Sequence, residues 1–225
     1  ESAMTITTEP TTQIRPYRLR WVGAVVVLVA NLMDVLDSTI LNVAGPSIRR
    51  DLGGGADTLQ WLSAAYTLAF AVLLIAGARL GDILGRRRVF LAGSAGFTLF
   101  SAASAAAPSI TVLIVFRCLQ GAFGALMIPQ GFGMLKESFA EDEMSKVFGT
   151  FGPMMGLSAL AAPVLAGSLV GANLWGVGWR LVFLINVPIG LLGIAGALKV
   201  LPRTVAHPGM KLDVGGMVLI GAALS

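Results

Sequence analysis

The sequence predicts an all-α polytopic membrane protein, and three observations carry that prediction. Hydrophobic residues make up 56% of the 225-residue chain and charged residues only 12%, with a mean hydropathy of +0.81. Apolar runs of the ~20 residues that a helix needs to cross a bilayer recur along the chain, split by short polar or Gly/Pro-rich segments. The basic residues gather beside the ends of those runs rather than on one face. The net charge of +4 therefore reads as a topology signal, not a nucleic-acid footprint.

In chain order, residues 1–20 read as a cytoplasmic tail, with a polar, Thr-rich start that favours disorder and Met4 as a natural start. The basic RPYRLR before WVGAVVVLVANL imitates a signal peptide, but equally apolar segments follow, so this is the first span. Six spans are expected, at about 21–44, 59–78, 89–107, 110–135, 147–171 and 179–201, forming one bundle over 21–201. Residues 202–225 hold a cytoplasmic linker with the single histidine, His207, and the start of a seventh helix near Gly216. From Gly216 to Ser225, at ~1.5 Å per residue, a helix crosses only about half of a ~30 Å hydrocarbon core, so the chain is expected to be part of a longer protein.

With the N-terminus inside, twelve of the sixteen basic residues fall in cytoplasmic segments. Three, Arg49, Arg50 and Arg180, fall outside, and Arg117 lies within span four. The positive-inside rule orients the bundle on that ratio. No G-x-x-x-x-G-K-[ST] phosphate loop is present, so uphill movement of a solute would draw on an ion gradient. One histidine and one cysteine, Cys118, exclude a His-based metal cluster, a Ser/His/Asp triad and an intrachain disulfide. No cofactor is implied.

A charge at the centre of a spanning helix costs ~2.5 to 3.5 kcal/mol on insertion scales, so such groups face a cavity or a partner. Asp34, Asp37 and Arg117 are the three to explain. At ~100° per residue, Asn31, Asp34, Asp37, Ser38 and Asn42 share an arc of about 140° on span one. Asp37 lies nine residues before Pro46, and Arg117 nine after Pro108. Both prolines mark the outer face, which puts the two groups at the same depth, ~14 Å in. Asp34 sits about one turn deeper without an obvious basic neighbour, which makes it the candidate proton carrier. A salt bridge that only locks spans one and four would explain Asp37 and Arg117 but not the second acid. The neutral polar groups Asn31, Ser38, Asn42 and Gln120 are the candidate cavity-lining residues.

ARLGDILGRRRVFL, at 78–91, is the second dense signal. Asp82, Gly85, Arg86 and Arg87 occupy a short cytoplasmic turn where opposite charges can latch two helix ends, with Glu141 or Glu143 as further partners; the arginines also anchor orientation.

These residues resemble the signature G-x-L-a-D-r-x-G-r-k between spans two and three of the major facilitator superfamily, with Ala78 at the first glycine. LDSTILNVAGP is similar to the span-one signature L-D-x-T-i-v-N-v-A-l-P of its fourteen-span drug:proton antiporters. LIVFRCLQGAFGA resembles the span-four signature, matching at Leu113, Arg117, Gln120 and Gly121. GWRLVFLINVPIG resembles the entry to span six, matching at Trp179, Arg180, Phe183, Asn186, Pro188 and Gly190. In span five, Gly149, Ser158, Ala162, Pro163 and Gly167 follow the antiporter pattern G-x8-G-x3-G-P-x2-G-G with some glycines replaced by small residues, which still permit close helix packing.

The resemblance implies a six-helix N-terminal bundle of two inverted three-helix repeats plus the start of a seventh helix, working by alternating access with a C-terminal half. It implies a proton-coupled exporter of a small hydrophobic or amphipathic substrate, multi-pass in the cell membrane. Asp34, Asp37 and Arg117 would couple protonation to substrate release, and Asp82, Gly85, Arg86 and Arg87 would form the cytoplasmic gate. It implies no enzymatic activity, and protons as the only coupling species. The alternatives are an importer, symporter or lipid flippase on the same fold, and a non-transporting scaffold or half-protein.

Overall fold

The computed structural model describes residues 18–55, 57–172 and 176–202. The expected seventh helix and almost all of the N-terminal tail and linker lie outside these residues. Among the described residues the fold is helical without strands. It comprises α1 (Arg20–Leu52), α2 (Thr58–Leu84), α3 (Arg86–Ala105), α4 (Ile110–Ser138), α5 (Glu141–Ala172), a 3-10 turn (Gly178–Arg180), α6 (Leu181–Leu184) and α7 (Asn186–Val200).

Five of the described helical passes are long and apolar enough to cross a membrane, the 3-10 turn, α6 and α7 together making the last, Gly178–Val200. The protein is membrane-embedded. α3 falls outside that set because its first three residues are arginines and Gly, Ser and Thr recur along it. At 20 residues it still has the ~30 Å reach of a span, and one face of it, with Phe90, Phe97 and Ser101, is buried against its neighbours. The sixth pass is divided because Pro188 has no N–H to offer Leu184, while the backbone at Ile185 stays helical at φ −61°, ψ −30°.

Three boundaries differ clearly from expectation, the first being α2, which runs on to Leu84 instead of ending near residue 78. α1 runs through Pro46 to Leu52 instead of ending near residue 44. Proline there removes one backbone bond, to Asn42, and the helix continues beyond it. α5 begins at Glu141, where three acidic residues in the first turn suit the positive end of the helix dipole. The turn between α2 and α3 is the single residue Gly85, whose φ of 93° a side chain would strain.

α4 packs chiefly on α2 and α3, and α1 chiefly on α5 and α7. The first helix of each three-helix unit thus lies against the second and third of the other, the exchange that two inverted repeats produce. Small residues bring α2 and α4 together: a Cβ added to Gly121 would lie 2.3 Å from the Tyr66 carbonyl oxygen, and one on Gly77 2.3 Å from that of Ala125. Among the described residues, the five residues expected to pack α5 meet different surroundings. Ala162 is buried, Pro163 is exposed, Ser158 bonds back to the Met154 carbonyl at 2.8 Å, and Gly149 and Gly167 have no described neighbour within 4 Å of an added Cβ.

Two apolar clusters fill the bundle. One gathers Val27, Met33, Tyr66, Phe97 and Met127; the other gathers Leu41, Ile48, Leu62, Leu113 and Phe183. Along α1 and α4 the segments 34–37 and 117–120 fall between them, and the charged groups occupy that gap.

Candidate functional site

Asp37 and Arg117, about 2% and 1% exposed, form an ion pair as the depth count predicts. One carboxylate oxygen of Asp37 accepts from an Arg117 Nη. The other accepts from the amides of Gln120 at 3.0 Å and Asn186 at 2.8 Å. The same Arg117 nitrogen donates to Gln120 Oε1 at 2.9 Å. Asn186 also donates to Ser101 Oγ at 3.0 Å, and Ser101 donates to the Phe183 carbonyl at 2.9 Å. α1, α3, α4 and the sixth pass therefore all contribute to holding one carboxylate. A buried pair that loses one partner leaves an uncompensated charge, which makes this multiple support consequential.

Asp34, one turn away, does not join that pair directly. Its Oδ1 accepts from the hydroxyl of Tyr66 on α2. The Tyr66 ring in turn lies under the Arg117 guanidinium, with Cζ 4.3 Å from the ring centroid, while the Phe183 ring is 5.9 Å from the same atom. A desolvated cation over an aromatic face is worth ~2 kcal/mol. Arg117 Nε and Asn186 Oδ1 are buried without a hydrogen-bond partner among the described residues. Both retain polar capacity for a second arrangement.

The candidate cavity residues separate. Gln120 belongs to the ion-pair network. Asn31 is buried and donates to the Val27 carbonyl of its own helix at 2.8 Å. Ser38 and Asn42 are exposed, Ser38 bonding back to Val35. Tyr66, Ser101 and Asn186 complete the site beyond the residues singled out from sequence. Asn186 carried a signal, as the asparagine of the span-six motif. Tyr66 and Ser101 sit in apolar runs with none.

At the other end, Arg86 bridges Asp82 at 2.7 Å and Glu137 on α4 at 2.9 Å. Arg87 donates to the Leu198 carbonyl of α7 at 2.5 Å. The signature turn is thus tied to α4 and α7, and Glu137 is the acid that engages it. Glu143 instead pairs with Arg20 at 2.7 Å. Opposite this end, Asp51 accepts from the Trp179 indole at 2.9 Å and from Arg180 at 2.5 Å. The Trp179 indole N–H and then the Arg180 guanidinium hold the Asp51 carboxyl below its ordinary value.

Charges buried inside a bundle of membrane-crossing helices mark a functional site, and the arrangement is that of a membrane transport protein. The sequence profile of the Major Facilitator Superfamily matches residues 27–219, and the chain belongs to that family. It is 50% identical over 210 residues to the "Probable actinorhodin transporter" of Streptomyces coelicolor, covering 93% of this chain and 36% of that protein. It is 40% identical over 205 residues to the "Tetracenomycin C resistance and export protein" of Streptomyces glaucescens, covering 91% and 37%. The chain thus spans about a third of the length of these curated relatives. A crystal structure of the peptide transporter POT in complex with sulfate superposes with a TM-score of 0.69 at 16% identity, over 90% of this chain and 44% of that one, which supports the fold.

Proposed function

We propose that the chain is the N-terminal half of a proton-driven exporter of small hydrophobic or amphipathic compounds, antibiotics among them. The observation that carries the reading is the placement of two carboxylates of unequal standing at one depth zone. Asp37 is paired with Arg117 and held by two amides, whereas among the described residues Asp34 accepts a hydrogen bond from one phenol. The name of the Streptomyces glaucescens relative, a resistance and export protein, supports export.

In this reading the outward-facing transporter takes a proton on Asp34. The loss of charge changes the field around Arg117, lowers the cost of closing the outer side, and releases the exported compound. Facing inward, Asp34 gives up the proton and substrate returns. Asp82, Gly85, Arg86 and Glu137, with Arg87 of α3 bonded to the Leu198 carbonyl of α7, brace the cytoplasmic end while the cavity faces out. The N-terminus lies in the cytoplasm and the bundle in the plasma membrane, with a C-terminal half completing the cavity. No cofactor takes part, and protons are the coupling species.

The test uses the full-length protein in proteoliposomes, with actinorhodin and tetracenomycin C as probes. An acid interior should drive probe accumulation, and Asp34→Asn or Asp37→Asn should abolish it. Accumulation driven by an acid exterior would identify a symporter instead. Full proton-driven accumulation in both variants would overturn the coupling assignment.

A further inference from the structure

We propose that Tyr66 is the residue through which Asp34 acts: its hydroxyl senses the charge on Asp34 and its ring passes that state to the Arg117–Asp37 pair. This rests on the proton-coupling reading of Asp34 and adds the route by which the proton is felt.

Four observations converge on Tyr66. Its hydroxyl donates to Asp34, and its ring face lies 4.3 Å from Arg117 Cζ, so one side chain touches both halves of the site. It is 5% exposed and held in place: Phe70 stacks at 6.2 Å and Phe97 stands edge-on at 6.4 Å. Gly121 lets the α4 backbone press against the Tyr66 backbone, and a Cβ on Gly124 would come within 3.2 Å of its hydroxyl and 3.5 Å of Asp34 Oδ1. Arg117 Nε is a buried, uncommitted donor, so the guanidinium has hydrogen-bonding capacity for a second arrangement.

The chemistry follows from these contacts. A phenol donating to a carboxylate is polarised, and its ring face becomes richer in electrons and a better seat for a guanidinium. When Asp34 is neutral the charge-assisted bond is gone and the seat weakens, freeing Arg117 to shift against Asp37. Among the described residues with contacts at this site, the charged or titratable groups near Asp34 are Asp37, Tyr66 and Arg117, on α1, α2 and α4. α3 and the sixth pass bring the neutral Ser101 and Asn186.

A carbodiimide modifies a carboxyl in its protonated form, so the pH profile of Asp34 labelling, read by mass spectrometry on the full-length protein, needs no transported substrate. Tyr66→Phe, which keeps the ring, should move that profile by at least one pH unit, a tenfold change in proton affinity. Arg117→Lys keeps the charge but loses the planar stacking. It should move the profile in the wild-type background by at least threefold in proton affinity, and by less than twofold in the Tyr66→Phe background. A Tyr66→Phe profile that superimposes on wild type, or shifts from the two substitutions that simply add, would overturn the proposal. If Arg117→Lys does not fold, the Tyr66→Phe profile decides alone. The proton-coupling reading fails separately, on transport by Asp34→Asn, whatever the labelling shows.

Discussion

Arg117 on α4 and Asp37 on α1 pair across 80 residues of chain, each side chain about 1% exposed. Removing one partner strands the other. Asp37→Ala should destabilise the bundle by about 3 to 5 kcal/mol, the scale for an uncompensated buried charge. Arg117→Met combined with Asp37→Ala should cost less than the sum of the single changes. Thermal unfolding of the full-length protein in detergent reads both.

Gly121 is one of two glycines, with Gly77, at which α2 and α4 approach backbone to backbone. A side chain there meets the Tyr66 carbonyl, which is backbone and cannot swing aside. Gly121→Val should therefore cost about 3 kcal/mol or more as overpacking. Gly149→Ala, where an added Cβ meets nothing, should lower the melting temperature little or not at all. The melting temperatures of the two variants should separate clearly.

Asp51 sets a pH dependence outside the membrane zone. Its folded-state value is depressed, so its contribution is present above the unfolded value of ~3.9 and is lost as pH falls through the lower folded one. Hydrogen exchange at Gly178–Arg180, corrected for intrinsic rates, should accelerate as pH drops from about 5 to below about 3.9. The acceleration should be absent in Asp51→Asn.

Arg86 has two acidic partners, and its side chain is 26% exposed. Glu137→Gln should change stability by about 0 to 1 kcal/mol, since Asp82 remains and solvent screens the pair. Its expected effect is on cycling: under the proposed exchange, export should slow several-fold while the melting temperature holds. A fall in melting temperature with unchanged export would make the bridge a structural tie.

Much of this was legible from single helices. Counting residues inward from Pro46 and Pro108 matched Asp37 to Arg117, because rise per residue is a property of one helix and the membrane supplies a common origin. What one helix does not encode is which neighbour faces which side chain. Tyr66 looks like any aromatic in an apolar run until α2 is placed against α4, and Glu137 looks like a span-end charge until the Gly85 turn brings Arg86 to it. The 140° arc on α1 is divided for the same reason. Asn31 and Asp37 turned inward and Ser38 and Asn42 outward, a division set by neighbouring helices. The small residues of α5 illustrate the converse: they mark a surface suited to close approach, but the described bundle brings a neighbour to few of them.

Asn186 reaches Asp37 from 149 residues further along the chain. During synthesis, span one must enter the bilayer carrying an acid whose counter-charge has not been made, and whose amide support comes later still. The support of this carboxylate is therefore complete only once the sixth pass is in place. A chain that ends before span four holds this acid without its counter-charge.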